Sequence, residues 1–333
     1  MSGRRVTVHD VDVLSLLGVP ELEDCLLSVK NELWEAGQAD DPELEAANRR
    51  VLGAGGKRLR PALTIASAWL AEIFDDRVVA AGVAVELVQV GSLVHDDLLD
   101  LAATRRGIPT INAVEGPTDA LLAGTLLLAR AGSRAAFAGQ RVAAEVARTV
   151  AALCMGQTKE SEHLFDLGQR IATYLQTIEA KTAALFACAC RVGGVVADLP
   201  EMDIERLGEF GRNFGMAFQL IDDVLDLIGD PEKLGKPVGN DLRSGVLTLP
   251  VLLELHGGRS PHMRALLAEK ELGSDQVARI LKDGERIPET IEVARTYAEA
   301  ASAAAGELSG PSATALVRFA PDYLDWSLDR FAA

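Results

Sequence analysis

Apolar positions along this chain recur at helical spacing almost everywhere, and no run alternates as a strand would. Asp41-Pro42-Glu43 predicts a helix start, with Asp as N-cap and Pro at the first helical position. The turn Gly53-Ala-Gly-Gly56 separates it from an element expected over 61–73. Residues 78–101 are apolar nearly all round until His95, as in a helix buried inside a bundle, with Gly107 and Pro109 as the expected stop. Further helices are expected over 119–130, 134–160, 168–192, 204–227 and 288–307. Gly229, Pro231, Gly235, Pro237 and Gly239 mark the most punctuated loop. No linker divides the chain. The pattern therefore predicts an all-α fold, with a helical extension over 1–38 and one helical-bundle domain over 39–333.

Composition agrees with the pattern. Of 333 residues 48% are hydrophobic but only 5% aromatic, and alanine and leucine, both strong helix formers, are abundant. A formal net charge of −16 argues against nucleic acid as a partner, because its phosphates demand a basic surface. Small phosphorylated substrates stay open, since they need only a local basic pocket. The four cysteines, Cys25, Cys154, Cys188 and Cys190, lack zinc-type or disulfide spacing and read as buried structural thiols. The N-terminal Met1-Ser-Gly-Arg-Arg has no apolar run of a signal peptide. The most apolar window, 78–94, is short for a membrane span and holds Glu86 and Gln89. A reduced, cytoplasmic, soluble protein without a transmembrane segment is expected.

Two clusters carry the chemistry. Asp96-Asp97-Leu-Leu-Asp100 and Asp222-Asp223-Val-Leu-Asp226 share one spacing, each at the end of an apolar helical run. On a helix, positions i and i+4 lie about 40° apart, so first and last carboxylates share a face. Carboxylates packed this closely repel, and burying them unpaired is costly. A hard divalent cation with oxygen preference relieves both problems, and magnesium also takes phosphate oxygens readily. A solvated acidic helix end would explain one such cluster; it explains two of identical spacing poorly.

The cations fall nearby. Gly55-Gly-Lys-Arg-Leu-Arg-Pro61 sets flexible backbone beside three cations, a plausible diphosphate cradle. Arg105-Arg106-Gly107 follows the first cluster, and Gly235-Lys236-Pro-Val-Gly-Asn-Asp-Leu-Arg243 follows the second. The chain has only eight lysines, and Lys57, Lys181 and Lys236 fall in or near these segments. An acidic protein that places its rare lysines there is built to bind anions.

With these segments the chain resembles the trans-polyprenyl diphosphate synthases over roughly residues 40–330. The matching runs are Gly-Gly-Lys-Arg-Leu-Arg-Pro (55–61), His-Asp-Asp-Leu-Leu-Asp (95–100) and Arg-Arg-Gly-Ile-Pro-Thr (105–110). Lys181-Thr182, Phe218-Gln-Leu-Ile-Asp-Asp-Val-Leu-Asp226, Gly-Lys-Pro-Val-Gly-Asn-Asp-Leu (235–242) and Thr248-Leu-Pro250 follow in order. The resemblance implies an isoprenoid-synthase bundle with a deep central cavity and the two acidic motifs facing across its mouth. It implies a magnesium-dependent transferase that lengthens an allylic diphosphate with isopentenyl diphosphate, working as a homodimer. Asp96, Asp100, Asp222 and Asp226 match metal-binding positions, with Asp97 and Asp223 completing the clusters. Arg105, Lys181, Thr182, Gln219 and Lys236 match positions that hold the allylic diphosphate. Lys57, Arg60 and Arg106 match those that hold isopentenyl diphosphate, and Gln89, able to donate a hydrogen bond, stands where family members use a histidine for the same substrate. The released diphosphate is the base in this family, so His95 is given no catalytic part.

The chain departs from the family at Ala123-Gly124-Thr125, where an aspartate is usual at the third position, and at Gly245-Val246, where a lysine is usual at the second. Rival readings are a class I terpene cyclase and a non-catalytic partner subunit. The isopentenyl-binding segment speaks against the first and the six retained aspartates against the second. Gly91 and Ser92, one turn before Asp96, are small where short-chain relatives often carry a ring. They predict products of twenty carbons or more.

Overall fold

The structure is a computed structural model that describes residues 15–20, 22–234, 238–257, 260–268 and 270–332. Its longer helices are α1 (Leu22–Ala36), α2 (Pro42–Gly53), α3 (Leu59–Ala68), α4 (Asp76–Leu99), α5 (Pro117–Ala138), α6 (Gln140–Glu162) and α7 (Ile171–Ile178). They continue as α8 (Ala184–Val196), α9 (Glu201–Ile228), α10 (Leu249–His256), α11 (Ser260–Ala268), α12 (Lys270–Lys282), α13 (Arg286–Gly306) and α14 (Ala313–Phe331). Strand structure among the described residues is limited to a hairpin of β1 (Thr104–Arg105) and β2 (Ile108–Pro109) and one isolated bridge, Gly229 to Ala332.

Local signals explain several boundaries. Asp41 caps α2 by accepting the Leu44 N–H at 2.8 Å, with Pro42 at the helix start. Asp75 caps α4 in the same way, accepting from the N–H groups of Arg77 and Val78. Other boundaries differ from expectation. Helix α4 stops at Leu99, well before Gly107, because Leu101 turns left-handed (φ 52°) and the chain enters the hairpin. Gly107 and Pro109 shape that hairpin, which is too short for period-two alternation to reveal. The break expected between 130 and 134 falls instead at Gly139, whose φ of 138° suits glycine alone. A π-helical turn, Glu179–Ala183, interrupts the helical stretch that runs from α7 into α8.

The chain divides into two compact units, one of residues up to Ala151 with Leu185–Gly211 and Ser302–Phe319, the other of Ala152–Ala184, Arg212–Ala301 and Ala320–Ala333. In the first unit α4 is the centre: it is buried on nearly every face and packs most extensively along α5, then on α3 and α1. Its length and apolarity would let it cross a membrane, but 78% of its apolar window is covered by protein, as in a core helix. Gly91 makes the α4–α5 approach close: a Cβ there would lie 3.1 Å from both the Gly124 carbonyl oxygen and Leu128. In the second unit an aromatic group forms around Tyr323, with Phe214 at 5.4 Å edge-on and Phe218 at 5.8 Å stacked. Cys25, Cys188 and Cys190 are buried as expected, whereas Cys154 is exposed on α6. Burial pushes the Cys188 and Cys190 thiols up to about 12, which makes them inert.

Candidate active site

The first acidic cluster closes α4. Asp96 is half-buried and Asp100 exposed, while Asp97 between them is buried. The hairpin that follows folds Arg105 back so that its Nε donates to Asp97 Oδ1 at 2.5 Å. Burial raises the Asp97 pKa, and the Arg105 charge opposes that rise without cancelling it. A pocket under the hairpin is lined by Val90, Val94, Asp97, Arg105, Arg106 and Ile108, among others. His95 is tied down: its Nε2 lies 3.2 Å from the Leu121 carbonyl oxygen.

Beside this cluster lies the glycine-rich turn. Arg58 is the N-cap of α3 with φ 48° and ψ 36°, a left-handed conformation costing about 1–2 kcal/mol in a residue with a Cβ. No side chain caps α3, so its first N–H groups keep their affinity for anions. Lys57 and Arg60 flank this start, and the Arg60 guanidinium stacks 4.1 Å from the Phe186 ring centre. From the hairpin, Arg106 Nη1 donates to the Gly55 carbonyl. Gly56 adopts φ 129°, a conformation that favours glycine, and a Cβ there would come within 2.7 Å of the Arg106 guanidinium and push it aside. Burial holds the Arg106 pKa below its ordinary value, and the negative charge of Glu86 resists that fall. Gln89 is half-buried on α4, one turn before Ser92, whose hydroxyl donates to its carbonyl at 3.0 Å.

In the second unit the middle aspartate is again enclosed. The Tyr174 hydroxyl donates to Asp223 Oδ2, and Gln219 Nε2 donates to Oδ1 at 2.8 Å. Thr182 in turn donates to Gln219 Oε1 at 2.7 Å, so tyrosine, aspartate, glutamine and threonine form one chain. Burial pushes the Asp223 carboxyl up to about 7, with Asp222 and Asp226 adding to the rise and the two donors opposing it. Asp226 is buried and accepts the Asp241 N–H at 3.1 Å, which ties α9 to the loop beyond it. Asp222 is half-buried. The π turn carries Lys181 and Thr182, and Lys181 Nζ pairs with Glu160 at 2.5 Å. Gly156 permits this, for a Cβ there would meet the Lys181 backbone nitrogen at 2.7 Å. Lys236 lies outside the described residues.

Three residues of these arrangements were not singled out from the sequence for a site: Glu86, Tyr174 and Glu160. Of these Glu86 left a trace, as a carboxylate inside an apolar run, while Arg58 reads there only as one of the cations of the diphosphate cradle. A divalent metal fits the donors. Each cluster offers carboxylate oxygen only, and its first aspartate is partly exposed while the second is held by protein. Among the described residues no three His, Cys, Asp or Glu groups converge into a ready cage.

Comparison with known proteins points the same way. Residues 41–283 match the polyprenyl synthetase family. Heptaprenyl diphosphate synthase component 2 of Geobacillus stearothermophilus is 38% identical over 278 residues, spanning 83% of this chain and 86% of that protein. The short chain isoprenyl diphosphate synthase of Methanocaldococcus jannaschii is 38% identical over 282 residues, spanning 83% and 84%. The crystal structure of polyprenyl synthase from Caulobacter crescentus CB15, complexed with calcium and isoprenyl diphosphate, superposes with a TM-score of 0.88 at 31% identity, covering 96% of this chain and 98% of that one. The cation-flanked helix start, the two acidic clusters and these likenesses agree, and the chain belongs to the polyprenyl synthetase family, as a prenyl diphosphate synthase of the isoprenoid-synthase fold.

Proposed function

We propose that this chain condenses isopentenyl diphosphate with an allylic diphosphate, with magnesium, to give a trans-polyprenyl diphosphate of twenty carbons or more. The observation that carries the reading is the graded burial within each acidic cluster. Asp97 and Asp223 are buried and hydrogen-bonded, and the first aspartates, Asp96 and Asp222, are half-buried, within reach of solvent and a hard cation. Magnesium, when bound, supplies positive charge to the oxygens of the leaving diphosphate. Asp96, Asp100 and Asp222 are its ligands in this reading; Asp226 supports through the loop it anchors. Lys181 and Arg105 offset charge on the departing group, and Thr182 and Gln219 orient it. Lys57 and Arg60 at the uncapped start of α3, with Arg106 from the hairpin and Gln89 from α4, hold isopentenyl diphosphate so that its double bond is already positioned when the allylic cation forms.

Product length rests on α4. Ser92 is half-buried and small, and it remains the candidate lining residue. Gly91 is spoken for by its contact with α5. Relatives named for heptaprenyl, solanesyl and geranylgeranyl products support a long chain. A homodimer is supported by apolar side chains turned outward on α5, Leu121 and Leu122 at 52% and Phe137 at 61% exposure. The four cysteines form no disulfide among the described residues, which suits a reducing, cytoplasmic setting.

The test is to incubate the purified chain with magnesium, isopentenyl diphosphate and allylic starters of five to twenty carbons, then size the products. Chains of twenty carbons or more are expected. A product that stops at fifteen overturns the length, and no condensation overturns the reading that the chain catalyses the reaction unaided. One observation favours a second reading. Two relatives are named component 2 of a heptaprenyl diphosphate synthase, so inactivity of the chain alone would direct attention to a partner subunit.

A further inference from the structure

Glu86 is the carboxylate that the reaction leaves unexplained. It sits in the apolar middle of α4, 3% exposed, where an unpaired charge would not be tolerated. Its Oε1 accepts from Arg58 Nη1, and Arg58 Nη2 reaches on to the Leu52 carbonyl at 2.7 Å. One guanidinium thus clamps the end of α2, the core of α4 and the left-handed residue that joins the glycine turn to α3. The turn's other side is closed by Arg106, which donates to Gly55 and lies within the field of Glu86. Lys57 and Arg60 are the residues immediately before and two after the left-handed joint, so the directions in which they point depend on it.

We infer that Glu86 and Arg58 are a positioning pair for the isopentenyl diphosphate subsite, setting the presentation of Lys57, Arg60 and Arg106 without touching substrate themselves. The inference rests on the proposed function for the identity of that diphosphate. Removing the Glu86 charge takes from Arg58 its buried carboxylate partner and from Arg106 the attraction of a buried charge, and the left-handed joint loses its clamp. The second acidic cluster, in the other unit, is not part of this circuit. The pair's own hydrogen bonds join Arg58 to Glu86 and to Leu52, beside Lys57 and Arg60, so it acts on isopentenyl diphosphate far more than on the allylic substrate.

The test is calorimetric binding of isopentenyl diphosphate alone, and of farnesyl thiolodiphosphate with magnesium as the control, to full-length protein. Glu86→Gln and Arg58→Met are each expected to weaken isopentenyl diphosphate binding tenfold or more and to leave the allylic analogue within twofold. The double variant should be no worse than the poorer single, because the two residues act as one unit. Glu86→Asp should recover part of the loss. Isopentenyl diphosphate affinity within twofold of the unmutated protein, or equal losses for both ligands, overturns the inference. If Glu86→Gln does not fold, Arg58→Lys decides: it keeps the charge but loses the fork that reaches two acceptors, and an unchanged affinity overturns the pair. This pattern in a protein that shows no turnover would sink the proposed reaction alone, whereas an unmutated protein that binds no isopentenyl diphosphate sinks both.

Discussion

The two acidic clusters have the same spacing but enclose their middle aspartates by opposite means. Asp97 meets a full charge, the Arg105 guanidinium brought back by a hairpin. Asp223 meets two neutral donors, the Tyr174 hydroxyl and the Gln219 amide. Both are buried, and both carboxyls are raised, but only Asp223 is pushed up to about 7. A cationic partner offsets the desolvation of a carboxylate far better than neutral dipoles do. Two motifs of one spacing therefore differ in electrostatics: Asp223 is the more deeply desolvated, is raised further by its own cluster, and lacks the cation that Asp97 has in Arg105.

The sharpest test concerns what the clusters share. Asp96→Ala and Asp222→Ala should each lower kcat by about 10²–10³-fold or more while the protein stays folded, since both first aspartates are partly exposed. Near-normal turnover in either would end the parallel between the clusters. The next test concerns what they do not share. Tyr174→Phe removes one of the two donors to Asp223 and should lower kcat about tenfold, with a stability loss of about 1–2 kcal/mol read from denaturant unfolding. Its effect should also appear in pH dependence. Because the Asp223 carboxyl is raised above its ordinary 3.8 to about 7, metal-free protein is most stable at low pH in this respect and loses that contribution as pH rises through about 7. Asp223→Asn should flatten the melting temperature across that window; an unchanged slope would show that Asp223 is not its source.

A third test exchanges a feature between the regions. Four residues before each cluster stand Ser92 and Phe218, one small and one aromatic. Ser92→Phe makes the first cluster resemble the second and should shorten the product by one or more five-carbon units, measured by chromatography. Gly91→Phe is a poor substitute, because its side chain would drive into Gly124 and Leu128 and overpack the α4–α5 contact. The smallest effect is expected from Val246→Lys, which offers the second cluster a cation such as the first has in Arg105. Val246 donates its N–H to the Asp241 carbonyl at 2.8 Å, and Asp241 in turn binds Asp226. Nearby Arg243 is already turned onto the Val238 carbonyl at 2.6 Å. A few-fold fall in the KM for the allylic substrate is expected, and no change would show that the position lies out of reach.

The sequence by itself determined the helical character, the buried run of α4, the Asp41 cap of α2, both acidic clusters and the resemblance that the family match bears out. Each of these is a local fact: periodicity, a cap or a short motif needs only neighbours along the chain. What the tertiary structure decided is which partner each buried charge received. Tyr174 lies 49 residues from Asp223 and Arg58 lies 28 from Glu86, and neither pairing follows from spacing. The π turn at Lys181, the hairpin that returns Arg105 and the close approach at Gly91 were likewise hidden. Burial of a polar group creates a demand for a partner, but packing selects which distant helix face supplies it.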